Sequence, residues 1–306
     1  MSRTNATANT LASRHWPRVS SEQIVSANGV QLCAQTFGDA HDPAMLLIHG
    51  AATSMQGWDE AFCRRLAAGG RFVIRYDHRD TGQSVSYPPG QPPYALRDLA
   101  SDALGLLDAY KVESAHLLGR SMGAGIAMLA ALDAPARVES LTLIGASPGG
   151  DDLPPMSVEF LAYIRQPAPD WTDLDAATEH VLGLLRIFAG ASGHLREEPL
   201  REQIRREWDR TRNVASSQIN HFAMDTGAPI RERLGAISAP TLVIHGDRDP
   251  VFPLGHAHAL VSSIPRARLL VLEETAHELP RAEWDTVIPA LLAHTSRHAG
   301  SSRRVA

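Results

Sequence analysis

Short runs of apolar residues alternate with segments whose apolar positions recur every three to four residues, and this alternation organises most of the 306-residue chain. Residues 23–26 and 30–37 show the two-residue period of half-buried strands and are joined by Asn28-Gly29, a pair suited to a tight hairpin. Residues 44–48 (Ala-Met-Leu-Leu-Ile) are a short, wholly apolar run typical of a strand covered on both faces, and 72–76 read as the next strand. Residues 60–68 fall between them with a helical pattern. Leu99, Ala103, Leu106, Leu107 and Tyr110 mark one face of a helix over 98–110. A strand over 115–118, a helix over 124–131 and a strand over 141–144 follow. The alternation then stops. Residues 147–240 read as helical with many breakers, among them Pro154, Pro155, Pro167 and Pro169. It resumes with a strand at 241–244, a helix at 257–263, a strand at 267–272 and a closing helix at 281–294.

Strands that alternate with helices predict an α/β fold: a mostly parallel central sheet with helices on both faces, the initial hairpin adding antiparallel strands at one edge. Residues 22–147 and 238–297 are expected to form that core, and 148–237 a helical cap inserted between two neighbouring strands. Residues 1–21 and 298–306, rich in Ser, Thr, Asn and Arg, are expected to be disordered tails. No internal repeat interrupts the pattern.

Composition narrows the function classes. A formal net charge of −5, with 44% hydrophobic and 21% charged residues, is ordinary for a soluble globular protein and offers no polyanion-binding surface, so nucleic acid is not an expected partner. No stretch approaches the roughly 18 apolar residues of a membrane span, and the first 21 residues lack the apolar core of a secretory signal. The two cysteines, Cys33 and Cys63, have no metal-ligand spacing and read as reduced thiols, which fits a cytoplasmic location.

The chemistry-bearing residues follow strands. Gly119-Arg120-Ser121-Met122-Gly123 lies between an apolar strand and a helix. A serine with a glycine two residues to either side suits a sharp turn that exposes Oγ and aims the Met122 N–H into the site, at the positive end of the helix dipole. His49-Gly50-Ala51-Ala52, just after strand 44–48, could add the N–H of Ala51 as a second oxyanion donor. After strand 241–244, Asp247 and Asp249 compete as the acid that orients an imidazole; Asp249, set off by Pro250, is preferred. His277 follows the last strand. The chain order Ser, Asp, His is the order expected around a nucleophile elbow.

These four features in register, His49-Gly50, the elbow at 119–123, Gly246-Asp247-Arg248-Asp249-Pro250 and His277, resemble the α/β-hydrolases over residues 22–294. The stretch 76–84 (Tyr-Asp-His-Arg-Asp-Thr-Gly-Gln-Ser) is similar to the corresponding loop of the aclacinomycin methylesterases and related bacterial carboxylesterases. The resemblance implies a serine hydrolase: Ser121 as nucleophile, His277 as base, Asp249 as its orienting acid, backbone donors at Ala51 and Met122, and a helical lid over 148–237. It implies no metal and no organic cofactor. Loop 77–84 is expected to be structural, its polar side chains bonding within the loop. Two residues depart from the pattern. Arg120 stands where relatives carry an apolar, aromatic or histidine residue, and an ion pair with an acid beneath the loop is expected for it, with recognition of an anionic substrate as the other reading. Ala51 stands where the methylesterases have glycine.

The expected partner is a small-molecule ester, mostly apolar and of moderate size, with a methyl ester of a polyketide-like acid suggested by the resemblance. The same triad could serve C–C bond or lactone hydrolysis or cofactor-free perhydrolysis. A catalytically idle protein that only binds a ligand is the alternative from another class.

Overall fold

The computed structural model describes residues 17–191, 193 and 195–296. Eight strands form one sheet: β1 (Gln23–Ala27), β2 (Val30–Phe37), β3 (Ala44–Ile48), β4 (Phe72–Tyr76), β5 (Ala115–Arg120), β6 (Val138–Ile144), β7 (Thr241–Gly246) and β8 (Arg268–Leu272). Their spatial order is β1-β2-β4-β3-β5-β6-β7-β8. β3 to β8 run parallel, and β1 and β2 close one edge as the antiparallel hairpin that Asn28-Gly29 predicts.

Helices α1 (Glu60–Ala68), α2 (Leu96–Ala109), α3 (Met122–Asp133), α8 (Gly255–Ser263) and α9 (Trp284–Ser296) cover the sheet. The two-residue period of the strands sorts their side chains between two cores. Leu46 and Ile48 of β3 face α2, α3 and α8, in one cluster with Leu99, Ile126 and Leu260. Met45 and Leu47 face the other way, with Phe62 and Leu66 of α1 and Trp284 and Leu291 of α9. α3 has no polar stripe because it is enclosed on all sides, with eight buried residues from Gly123 to Ala131.

Between β6 and β7 the chain runs through α4 (Val158–Ile164), α5 (Leu174–Ala189), α6 (Glu197–Arg210) and α7 (Val214–Ala223). Asp173 and Asn213 start α5 and α7 by accepting backbone N–H bonds with their side chains. No helix among the described residues is long and apolar enough to cross a membrane.

Residues 17–21, expected to belong to the disordered N-terminal tail, include backbone bonded to the sheet. Val19 bridges Phe37, and the backbone N–H of Ser20 donates to the carbonyl of Thr36 at 3.0 Å, because the free edge of β2 beyond β1 still offers hydrogen-bonding groups. The remainder of the expected N-terminal tail, and the C-terminal one, lie outside the described residues. The closing helix is also shorter at its start: Arg281–Glu283 form a 3-10 turn before α9.

The chain moves outward from β3 to β4 at one side and from β5 to β8 at the other. This reversal places a crevice at the carboxyl ends of β3 and β5, where open α/β sheets bind ligands. The loops after β3, β5, β6, β7 and β8 all open at that end.

Candidate active site

Ser121 joins β5 to α3 with φ 52° and ψ −121°, a left-handed conformation that a residue with a side chain adopts only under constraint. The constraint is close packing. A Cβ at Gly123 would collide with the carbonyl oxygen of Ile48 in β3, and one at Gly119 with that of Gly123. The Ser121 N–H donates to the carbonyl of Ile144 in β6 at 2.9 Å, so the turn is held from both neighbouring strands. Nothing among the described residues takes a hydrogen bond from Ser121 Oγ.

The loop after β3 lies against the elbow: a Cβ at Gly50 would sit 3.3 Å from Cβ of Ser121. Its backbone groups are almost all committed. Gly50 N–H donates to Nδ1 of His49 at 2.7 Å, Ala52 N–H donates to Nδ1 of His221 at 3.1 Å, and the carbonyl of His49 accepts from Nε2 of His78 at 3.0 Å. Among residues 50–52, Ala51 alone keeps an N–H with no acceptor among the described residues. Met122, as the first residue of α3, has no intrahelical acceptor either. The two donors singled out in the sequence are therefore uncommitted.

Asp249 and His277 come together. Nδ1 of His277 donates to Oδ2 of Asp249 at 2.7 Å, with both side chains buried. The other carboxylate oxygen accepts the N–H groups of Val251 and Phe252, each at 2.8 Å. Burial alone would raise the Asp249 carboxyl. The His277 charge and hydrogen bond, the Phe252 N–H and His245 outweigh it and hold the pKa below the ordinary carboxylate value. Asp247, the competing acid, makes no contact of this kind; its buried Oδ1 has no hydrogen-bond partner among the described residues and lies 3.9 Å from Nε of Arg248. His245 of β7, unnoticed in the sequence, borders the pair with Nε2 3.4 Å from Asp249 Oδ2 and donates to the carbonyl of Phe252 at 2.6 Å.

Gly145, next after β6, packs against the histidine and its acid. It has φ 53°, and a Cβ there would lie 3.2 Å from Nδ1 and Cε1 of His277 and 3.6 Å from Oδ2 of Asp249. The backbone of His277 is gripped at both ends. Its N–H donates to the carbonyl of Phe188 in α5 at 2.9 Å, and its carbonyl accepts from Nη2 of Arg120 at 2.8 Å. The rings of Phe188 and Phe252 lie 4.9 and 5.8 Å from the imidazole, centroid to centroid.

Two sequence expectations change here. Arg120 bonds a main-chain carbonyl of the histidine loop, not an acid beneath the elbow; Glu278 and Asp249 supply negative charge nearby, and burial is the main influence on the guanidinium, lowering its pKa. Loop 77–84 bonds within itself as expected, Ser84 Oγ donating to the Asp77 carbonyl at 2.7 Å and Thr81 Oγ1 to that of His78 at 3.0 Å, but it also bonds well beyond itself. Asp77 accepts from Met55 N–H at 2.8 Å and pairs with Arg210 of α6 at 2.7 Å, while Arg79 pairs with Asp102 of α2, also at 2.7 Å. The reason is burial: each of these acids is enclosed, and only a partner from another element can compensate it.

Sequence reasoning missed Gly145, His221 and His245. Gly145, a glycine directly after an apolar strand, was the one with a readable signal. The others sit in unremarkable helical or strand positions.

Residues 43–280 match the family described as alpha/beta hydrolase fold. The chain is 33% identical over 299 residues to a rhodomycin D methylesterase, DauP, of Streptomyces sp. (strain C5), covering 89% of this chain and 97% of that one. It is 32% identical over 293 residues to the rhodomycin D methylesterase DnrP of Streptomyces peucetius, with the same coverage. Among solved structures, an esterase of Exiguobacterium antarcticum superposes with a TM-score of 0.74 at 24% identity, over 90% of this chain and all of that one.

Proposed function

The chain belongs to the α/β-hydrolase fold family, and from that premise we propose that it is a serine hydrolase that cleaves a carboxylic ester of a small to medium, mostly apolar organic substrate. The observation that carries this reading is the buried Asp249–His277 pair at 2.7 Å, set beside the strained Ser121 turn at the carboxyl ends of the parallel strands. Ser121 Oγ attacks the acyl carbonyl while Nε2 of His277 takes its proton, and Asp249 holds the imidazole with Nδ1 protonated and stabilises the imidazolium. The N–H groups of Ala51 and Met122 receive the oxyanion, each contributing about 3–4 kcal/mol in the transition state. The alcohol leaves with the proton from His277. Water activated by the same nitrogen then releases the acid from Ser121.

Likeness to two methylesterases over nearly the full length supports a methyl ester as the scissile group. The aromatic surface at the histidine, Phe188 and Phe252, supports an apolar acyl portion. Residues 148–237 act as a cap over this site.

The deciding experiment is hydrolysis of a panel of methyl and p-nitrophenyl esters by wild type and Ser121→Ala, together with fluorophosphonate labelling. The reading requires activity and labelling in the wild type and loss of both in the variant. A folded wild type that neither turns over the panel nor takes the label would leave a ligand-binding role for this fold.

A further inference from the structure

Helix α7 of the inserted segment reaches the loop that carries Ala51. His221 and Gln218, three residues apart and therefore on one face of α7, close on the same residue, Ala52, from its two sides. Ala52 N–H donates to Nδ1 of His221 at 3.1 Å, and Nε2 of Gln218 donates to the Ala52 carbonyl at 3.1 Å. Ala52 has φ 57°, a left-handed conformation without the freedom of glycine, so something must hold it. The two bonds from α7 supply that hold.

The chemistry of the imidazole makes the clamp directional. A ring nitrogen that accepts from a backbone N–H carries no proton, so the His221 proton is on Nε2, which donates to the carbonyl of Arg79 at 2.9 Å. His221 is buried, and its edge-to-face neighbours are the rings of His78 and Tyr94. α7 itself is stitched to the core. Asn220 donates to Oδ2 of Asp80 at 2.9 Å and accepts from Gly90 N–H at 2.7 Å, and Ser216 Oγ donates to the Tyr87 carbonyl at 2.6 Å. The helix is thus a fixed strut, and its fixed end is Ala52.

Resting on the esterase reading, we propose that His221 and Gln218 are positioning residues for the reaction. They occupy the polar groups of Ala52 and hold its backbone so that the neighbouring N–H, that of Ala51, is left free and aimed at the developing oxyanion. The inserted segment is in this respect part of the catalytic machinery as well as a cover.

The test compares wild type, His221→Asn, His221→Leu and Gln218→Leu. Asparagine can place Oδ1 where Nδ1 of the histidine accepts; leucine cannot. On p-nitrophenyl acetate, His221→Leu is expected to lose about 10- to 100-fold in kcat with KM within about twofold, since a misaimed donor fails in the transition state more than in the ground state. His221→Asn should stay within about fivefold of wild type, and Gln218→Leu should lose about 3- to 10-fold. Amide hydrogen exchange gives a readout free of catalysis: the Ala52 amide should be protected in wild type and His221→Asn, and exposed in His221→Leu. Should His221→Leu fail to fold, Gln218→Leu and His221→Asn carry the comparison. Equal kcat losses in the leucine and asparagine variants, a loss expressed in KM alone, or an unprotected Ala52 amide in wild type would overturn the proposal. If wild type shows neither turnover nor fluorophosphonate labelling, the esterase reading fails, while the exchange data still decide whether the clamp exists.

Discussion

Nη2 of Arg120 donates a 2.8 Å hydrogen bond to the main-chain carbonyl of His277, so the residue before the elbow serine holds the loop of the histidine. A charge-assisted bond of this kind is stronger than a neutral one and directional. It couples the position of Ser121 to that of His277 through one side chain, which an aliphatic residue at 120 could not do.

Arg120→Met should therefore lower kcat by about 10-fold, through loosening of the His277 loop, with KM for neutral esters nearly unchanged. Arg120→Lys, which keeps a donor but not the planar fork, should fall between. Steady-state kinetics on a neutral and an anionic ester decide the matter. A loss confined to KM for the anionic ester would instead assign Arg120 to substrate recognition.

Asp249 and Asp247 are two residues apart, yet only Asp249 bonds His277. Asp249→Asn should cost about 10³- to 10⁴-fold in kcat, because the amide can present its NH₂ to Nδ1 and favour the wrong tautomer. Asp247→Asn should leave kcat within about twofold. The pair of rates, measured at one pH, separates the two acids; similar losses in both would remove Asp249 from its role.

Gly145→Ala tests the packing against the base. The added methyl meets the His277 ring at 3.2 Å and also demands a left-handed φ of 53° from alanine. Stability should fall by about 1 kcal/mol from the backbone, and kcat by about 10- to 100-fold as the ring is displaced. Thermal denaturation and kinetics on one preparation check both. An unchanged kcat would show that the ring has room to move without consequence.

Glu207 of α6 accepts from Ser54 Oγ at 2.8 Å. Burial, with the nearby Asp77 charge, pushes its carboxyl up to about 7 from an ordinary 4.5, against the Ser54 bond and the charges of Arg210 and Arg75. Between these two values the folded protein keeps a proton that the unfolded chain has lost. The group's contribution to stability is therefore greatest below pH 4.5, falls as pH rises, and levels off above about 7. Glu207→Gln should abolish this fall and be about 3 kcal/mol more stable than wild type at pH 8, with little difference near pH 4.5. Urea denaturation at both pH values measures it; a pH-independent difference would mean that Glu207 does not titrate in this window.

The elements most legible in the sequence were those whose signal is local. The all-apolar run 44–48 became β3 with its ends unmoved, because a strand covered on both faces leaves no polar position to blur it. Gly119 and Gly123 announced close approaches that the structure makes, Gly123 against Ile48 and Gly119 against Gly123. The expectation for Arg120 failed for the opposite reason: a guanidinium announces a need for a partner but not its address, and a main-chain carbonyl leaves no mark in composition.

From its sequence alone the chain determined the parallel sheet with helices on both faces, the order of serine, acid and histidine, and the turn at Ser121. All of these follow from periodicity and steric limits over a few consecutive residues. The sequence already preferred Asp249 to Asp247; the tertiary structure added the bond that joins it to His277, and it alone decided that Arg120 holds the carbonyl of His277 across 157 residues and that His221 holds Ala52 across 169. Hydrogen bonds reach only about 3 Å, so such partnerships depend on strand order, register and the docking of α7, which no local stretch of sequence contains.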